Sequence, residues 1–218
     1  MISIRFEEKQ QIGLQYALET LHGCSPFGQE KIRRLRFYTP AERAELEEEL
    51  YNVKQAADHA EELKGVYDKI CILLCQMKDI RNSIRRCRDG EVPDHVELFE
   101  IKGYLQRLES LLPLYGQMSE IAPLRGLVFH DPKPALAILD PDNTRSRGFY
   151  IPDSMTETLR RVRRTKKELE EKLHEAKTDA EKDELRLQRT RICAEEESEE
   201  TKIRRDMGAR LAPLAEDM

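Results

Sequence analysis

The chain has no tryptophan, only 6% aromatic residues, and no apolar run approaching the roughly 20 residues that a membrane-spanning helix requires. A membrane partner is therefore not expected. Its five cysteines, Cys24, Cys71, Cys75, Cys87 and Cys193, form an odd, scattered set, which excludes a dense disulfide framework. The segment Met1 to Gln11 is too polar for a signal peptide, and with the cysteine usage it points to a reduced, cytoplasmic chain. No Gly-x-x-x-x-Gly-Lys-Ser/Thr occurs, so there is no backbone cradle for ATP phosphates and no lysine to reach them. The five histidines are isolated, and no Ser/His/Asp or Cys/His constellation can be assembled from the sequence. No catalytic, cofactor-binding or metal residue is assigned, and the chain is not expected to be an enzyme.

What is present is charge. Of 218 residues 36% are Asp, Glu, Lys or Arg, a fraction that suits long solvated helices with a narrow apolar stripe. The formal net charge of -5 gives no general attraction to nucleic acid or to an anionic membrane, so such binding would need local basic patches.

Helix starts are marked by caps. Ser25-Pro26 precedes one helix, and Thr39-Pro40-Ala41-Glu42 is a capping box with proline at the first helical position, opening a helix expected to run past His59. Its Leu46, Leu50, Val53, Ala57 and Ala60 recur at three and four residues and predict one core-facing stripe. Gly65 to Cys87 reads as a second apolar segment, carried by Val66, Ile70, Leu73, Leu74, Met77, Ile80 and Ile84. It ends in Arg85-Arg86-Cys87-Arg88-Asp89-Gly90, cations at a helix C-terminus followed by a glycine stop. Pro93-Asp94, with Glu97 in capping-box position, opens a helix striped by Leu98, Ile101, Leu105, Leu108 and Leu112. Prolines at 113, 123, 132, 134, 141 and 152 then predict broken helix continuity. Within that region Ala137-Ile138-Leu139 and Gly148-Phe149-Tyr150-Ile151 read as two short strands joined at Asp142-Asn143.

From the capping box Ser154-Met155-Thr156-Glu157 the pattern is helical almost to the end. Leu159, Val162, Leu169, Leu173, Ala176 and Ala180 form a narrow seam, and Thr178-Asp179-Ala180-Glu181 marks a second helix start. Folding back near Ala180 would set the basic run Arg160, Arg161, Arg163, Arg164, Lys166, Lys167 beside the acidic run Glu195, Glu196, Glu197, Glu199, Glu200. An unbroken helix would instead need another chain to cover the seam. The expected architecture is an all-α core over 1–153, with a small β-hairpin, and a protruding antiparallel arm over 154–218 that turns near 178.

Several of these segments resemble one family. Lys78-Asp79-Ile80-Arg81, Asp89-Gly90-Glu91-Val92 and Val96-Glu97-Leu98-Phe99-Glu100-Ile101-Lys102 resemble the core domain of MutS-type DNA mismatch-repair proteins. Leu139-Asp140-Pro141-Asp142 with Phe149-Tyr150-Ile151-Pro152-Asp153-Ser154 resembles the hairpin before their first lever helix, and Leu21 to Arg36 is similar to the start of that core. The resemblance implies a helical core, two lever helices, a DNA-contacting clamp at their tip and a P-loop ATPase. Two departures follow. The ATPase, and with it ATP and Mg, is expected only outside this chain. Leu173 to Leu187 leaves no room for a folded clamp, which weakens direct mismatch contact.

The residues weighed for nucleic acid are Arg160, Arg161, Arg163 and Arg164 in the basic run, which lacks interleaved aromatics, and Lys172, Lys177, Lys182, Arg186 and Arg189 at the arm's tip. Cys71 and Cys75, at i and i+4, read as buried members of an apolar stripe rather than metal ligands. Asp140-Pro141-Asp142-Asn143 lacks the glycine and glutamate of a calcium loop and reads as a turn held by side-chain to backbone bonds. The resemblance makes the chain a core and lever module acting on double-stranded or mismatched DNA through an ATPase elsewhere. The alternative is a non-catalytic helical scaffold or homodimerisation protein.

Overall fold

The computed structural model describes residues 6–35, 38–143, 145 and 150–215. Among these the regular elements are all helical: α1 Phe6–Gln11, α2 Leu14–Thr20, α3 Pro26–Arg33, α4 Arg43–Asp58, α5 Lys64–Gln76, α6 Arg81–Arg88, α7 His95–Ile121, α8 Lys133–Leu139, α9 Glu157–Glu175 and α10 Asp179–Leu211. No helix is long and apolar enough to cross a membrane among the described residues.

The caps act where the sequence places them. Ser25 Oγ accepts the Gly28 N–H at 3.0 Å to start α3. The Glu42 carboxylate reaches back to the Thr39 N–H at 2.8 Å, and the helix enters through a 3-10 turn, Pro40–Glu42. Asp94 and Glu97 cap α7 reciprocally: the Glu97 N–H donates to Asp94 Oδ1 at 2.7 Å and the Asp94 N–H to Glu97 Oε2 at 3.0 Å. Gly90, at φ +84°, ends α6. The Glu91 N–H bonds the Arg86 carbonyl and the Gly90 N–H the Cys87 carbonyl, a Schellman closure that a side chain at residue 90 would strain.

Contacts group the chain into two units, Met1–Asp79 with Gly103–Lys133, and Ile80–Lys102 with Pro134–Met218. Residues 154–218 thus belong to one unit with 80–102 and 134–153. In the first unit Leu63, Met118 and Ala122 are buried, with Val66, Tyr67, Ile70, Tyr115 and Leu124 packed against them. The side-chain amide of Asn52 pairs with the main chain of Arg125, donating to its carbonyl at 3.0 Å and accepting its N–H at 2.8 Å. The Arg125 guanidinium covers the Tyr51 ring at 3.7 Å, so α4 holds the loop after α7. In the second unit Leu98, Ile101, Leu139, Ile151, Leu159, Met207 and Leu211 are fully buried.

Four expectations are corrected. Ala137-Ile138-Leu139 is helical, not a strand: Ala135, Ile138 and Leu139 are buried at three-four spacing on α8, a pattern a three-residue apolar run cannot reveal. Gly148 and Phe149 of the second expected strand, and Arg36, lie outside the described residues, and no strand occurs among those described. On α4, Leu50 and Val53 are 58% and 63% exposed, whereas Tyr51, Asn52, Gln55 and Ala56 are half-buried, so the face turned inward is the neighbouring one. The segment Gly65 to Cys87 is two helices, α5 and α6, separated at Met77 to Ile80. Pro113 does not break α7: the ring lies on an exposed face, where water can satisfy the carbonyl that loses its N–H partner.

Candidate functional site on the paired long helices

The periodicity of α9 sorts its basic run. Leu159, Val162 and Leu169 point inward and are buried, and Arg163 and Lys166 flank that seam, while Arg160, Arg161, Arg164 and Lys167 fall on the exposed side. α9 starts at Thr156, whose Oγ accepts the Leu159 N–H at 3.0 Å. Ser154, expected in that role, instead donates its hydroxyl to Asp142 at 2.8 Å. α9 ends at Glu175, and α10 begins after Thr178, whose hydroxyl caps the Glu181 N–H. Cross-helix pairs Arg163 with Glu196, Glu170 with Arg189, and Thr156 with Glu199 make the two helices antiparallel. The seam that a second chain would have had to cover is thus closed within the chain, apart from Ala180, which is exposed.

Arg163 is the centre of the pairing. Its guanidinium donates to Glu196 at 2.9 Å, to Glu200 at 2.8 Å, to Asp153 at 2.5 Å and to the Ile151 carbonyl at 2.6 Å, and it lies 4.3 Å from the Tyr150 ring centroid. Lys166 adds a bond to Glu196 at 2.6 Å. Burial alone would lower the pKa of Arg163, but its three carboxylate partners raise it well above the ordinary arginine value. The bond from Arg163 holds Asp153 below the usual carboxylate range despite partial burial. Burial pushes Glu196 up, and the bonds from Lys166 and Arg163 outweigh it and hold the group low. Arg163, Asp153 and Glu196 are thereby fixed as ions at neutral pH.

This arrangement withdraws part of the expected basic surface. Arg163 is spent internally. Arg160 pairs with Glu157 at 2.9 Å, Arg164 with Glu168 at 3.1 Å, Arg186 with Asp183 at 3.1 Å and Arg189 with Glu170 at 3.2 Å. Exposed pairs of this kind are each worth about 0.2–1 kcal/mol and yield easily to a phosphate. Arg161, Lys172 and Lys177 are exposed and Lys182 half-buried, with no ion partner among the described residues. Lys172 lies in the last turn of α9, Lys177 in the α9–α10 turn and Lys182 in the first turn of α10, while Arg160, Arg161 and Arg164 lie at the other end of α9.

α10 runs 33 residues without a break, about 50 Å at the usual helical rise. Its last turns bury Ile203, Met207, Gly208 and Leu211, and it packs on α6. A Cβ on Gly208 would lie 2.9 Å from Pro93 Cδ, so the absence of a side chain permits that approach.

Two features were not legible in the sequence. Lys102 Nζ lies 3.1 Å from Asp140 Oδ2, with both side chains at most 6% exposed, and the same oxygen accepts the Arg145 N–H at 2.9 Å. The turn at Asp140 is therefore held by side-chain to backbone bonding, as expected, with a buried cation added. The one local hint is that Lys102 occupies the position four residues after Leu98 in an otherwise apolar stripe, which marks a cation on the inward face but names no partner. Cys75 is exposed and Cys71 half-buried, not the buried pair expected, and Cys24 joins them. Compared with known families and curated proteins, the chain matches no family model and no curated protein.

Proposed function

We propose that the chain is the core and lever part of a MutS-like DNA mismatch-repair or recombination-related protein, coupling a nucleotide-driven ATPase region outside the chain to a DNA-facing end. The observation that carries this reading is the pairing of α9 with an unbroken α10 that runs from the turn to its packing on α6, in a register fixed by Arg163 and Lys166. A helix pair so locked moves as one body, which is what a lever needs. Support also comes from Asp79-Ile80, which falls in the break between α5 and α6, and from Asp89-Gly90-Glu91, which forms the turn leading to α7. ATP and Mg belong to the ATPase region alone. DNA contact falls to Lys172, Lys177 and Lys182 at the turn.

The test is binding of labelled homoduplex, single-mismatch and four-way-junction DNA to the complete protein, with and without ATP. At least one should bind, and changing the three lysines to Glu should weaken it and flatten the salt dependence by about one unit of slope for each phosphate no longer neutralised. Failure of all three DNAs under both conditions refutes the reading.

A second reading, a helical scaffold or homodimerisation protein, is favoured by one observation: Leu50 and Val53 stand largely exposed on α4. It requires a concentration-dependent dimer in sedimentation equilibrium that Leu50→Glu with Val53→Glu dissociates. A monomer at every concentration removes it.

A further inference from the structure

Three of the five cysteines come from two places far apart in sequence. Cys71 and Cys75 are one turn apart on α5, and Cys24 precedes α3. Cys24 Sγ lies 3.4 Å from Cys71 Sγ, the two being 47 residues apart, and all three thiols are free. A disulfide has an S–S distance of about 2.05 Å, so the gap to close is little more than 1 Å.

The backbone on the Cys24 side is held at both neighbours. Gly23 sits against the first turn of α3 so closely that a Cβ there would lie 2.5 Å from the Gln29 nitrogen, and the Gln29 side chain donates to the Gly23 carbonyl at 3.4 Å. Ser25, 8% exposed, is fixed as the α3 cap. Cys71 lies in the interior of a regular helix. Both sulfurs are thus carried by ordered backbone. Cys24 is exposed and Cys71 half-buried, so a small oxidant can reach the pair. The hydrogen bond it donates to Cys71, together with burial, raises the Cys24 thiol above its ordinary value against an opposing hydrogen bond with Cys75, so Cys24 rests as the protonated thiol.

We propose that Cys24 and Cys71 are a reversible thiol oxidation site, which a peroxide closes into an intramolecular disulfide joining the loop before α3 to the middle of α5. One sulfur attacks the peroxide O–O bond and becomes a sulfenic acid as water leaves. The second sulfur then displaces the sulfenic oxygen, which departs with the remaining thiol proton as a second water. Two thiols and one hydrogen peroxide give one disulfide and two waters, and a thiol reductant reverses the bond by exchange. Cys75, exposed one turn along α5, also hydrogen-bonds Cys24 and is the competing thiol, but the 3.4 Å approach is made by Cys71. The site does not depend on the role proposed above for the long helices.

The experiment is stoichiometric hydrogen peroxide on the reduced protein, followed by alkylation of remaining thiols and non-reducing peptide mapping. The expected result is loss of alkylation at Cys24 and Cys71, a cross-linked peptide pair containing both, and recovery of both thiols with dithiothreitol. Cys75→Ser should preserve the cross-link, whereas Cys71→Ser should abolish it and leave Cys24 open to alkylation or sulfenic-acid trapping. Unchanged far-UV circular dichroism of both variants would show that folding is intact. A cross-link through Cys75, a bond between chains, or full alkylation of Cys24 and Cys71 after peroxide would overturn the proposal.

Discussion

Replacing Arg163 by Leu tests whether one guanidinium holds the two long helices in register. The side chain is 12% exposed, and its loss affects four acceptors unequally. Glu196 keeps Lys166 at 2.6 Å, and Asp153, half exposed, can be hydrated. Glu200, 19% exposed, keeps among the described residues only His95, at 3.6 Å and charged only when protonated. The Ile151 carbonyl, on a residue 1% exposed, loses its guanidinium donor. An unsatisfied buried carbonyl costs about 1–3 kcal/mol, and breaking a fully buried ion pair about 3–5 kcal/mol. Discounting the second figure for the residual exposure of Glu200 gives a total of about 3 kcal/mol. For a chain of 218 residues that lowers the melting temperature by roughly 6–12 °C. Thermal and urea denaturation followed by circular dichroism measure it. Arg163→Lys should recover only part of the loss, because an ammonium cannot span Glu196, Glu200 and Asp153 together. Adding Glu200→Leu to Arg163→Leu should recover about 1 kcal/mol or more by removing the stranded charge. An Arg163→Leu protein within about 0.5 kcal/mol of the parent would refute the reasoning, because the network would then be no stronger than surface pairs.

Acid should weaken the same network. Asp153 and Glu196 have lowered folded-state pKa values, so the unfolded chain binds protons first as pH falls. Their contribution is complete above the unfolded carboxylate values near pH 4 and is lost as pH drops through the folded ones; the urea midpoint should fall below about pH 4, and less steeply in Arg163→Leu. An equal slope in both proteins would contradict this. Asp140→Ala strands the Lys102 ammonium at 5% exposure and should cost about 3–5 kcal/mol in urea unfolding, while Lys102→Met with Asp140→Leu should restore most of it; equal losses in the single and double variants would show that the pair is not the cause. Gly208→Ala sets about 0.5–1 kcal/mol of helix preference against a close contact with Pro93 that costs about 1–3 kcal/mol, so a net loss near 1 kcal/mol is expected; a gain would show that the ring yields freely.

Helix boundaries set by bonds three to five residues long were legible in the sequence. Ser25, Thr39, Asp94 with Glu97, Gly90 and Thr178 each act through a neighbour on the same turn, so local residue identity sufficed. The reversal near Thr178, and the meeting of Arg163 and Lys166 with Glu196, followed from a cap and two opposite charge runs. Where a short segment's fate depended on what covers it, sequence was insufficient. Leu50 and Val53 repeat like a core stripe yet lie exposed, because the loop after α7 is held on an adjacent face of α4 through Asn52 and Tyr51. Ala135 to Leu139 forms a helix where three apolar residues suggested a strand, and Pro113 stays within α7 because its face is exposed.

By itself the sequence determined the helical class, the caps and the charge pairing of the final hairpin, since these rest on spacing along one helix or across one tight turn. The tertiary structure alone decided that Lys102 meets Asp140, that Cys24 meets Cys71, and that Asp153 and the Ile151 carbonyl complete the Arg163 site. Each joins residues on different elements, and such meetings are set by how those elements pack, which no local spacing records.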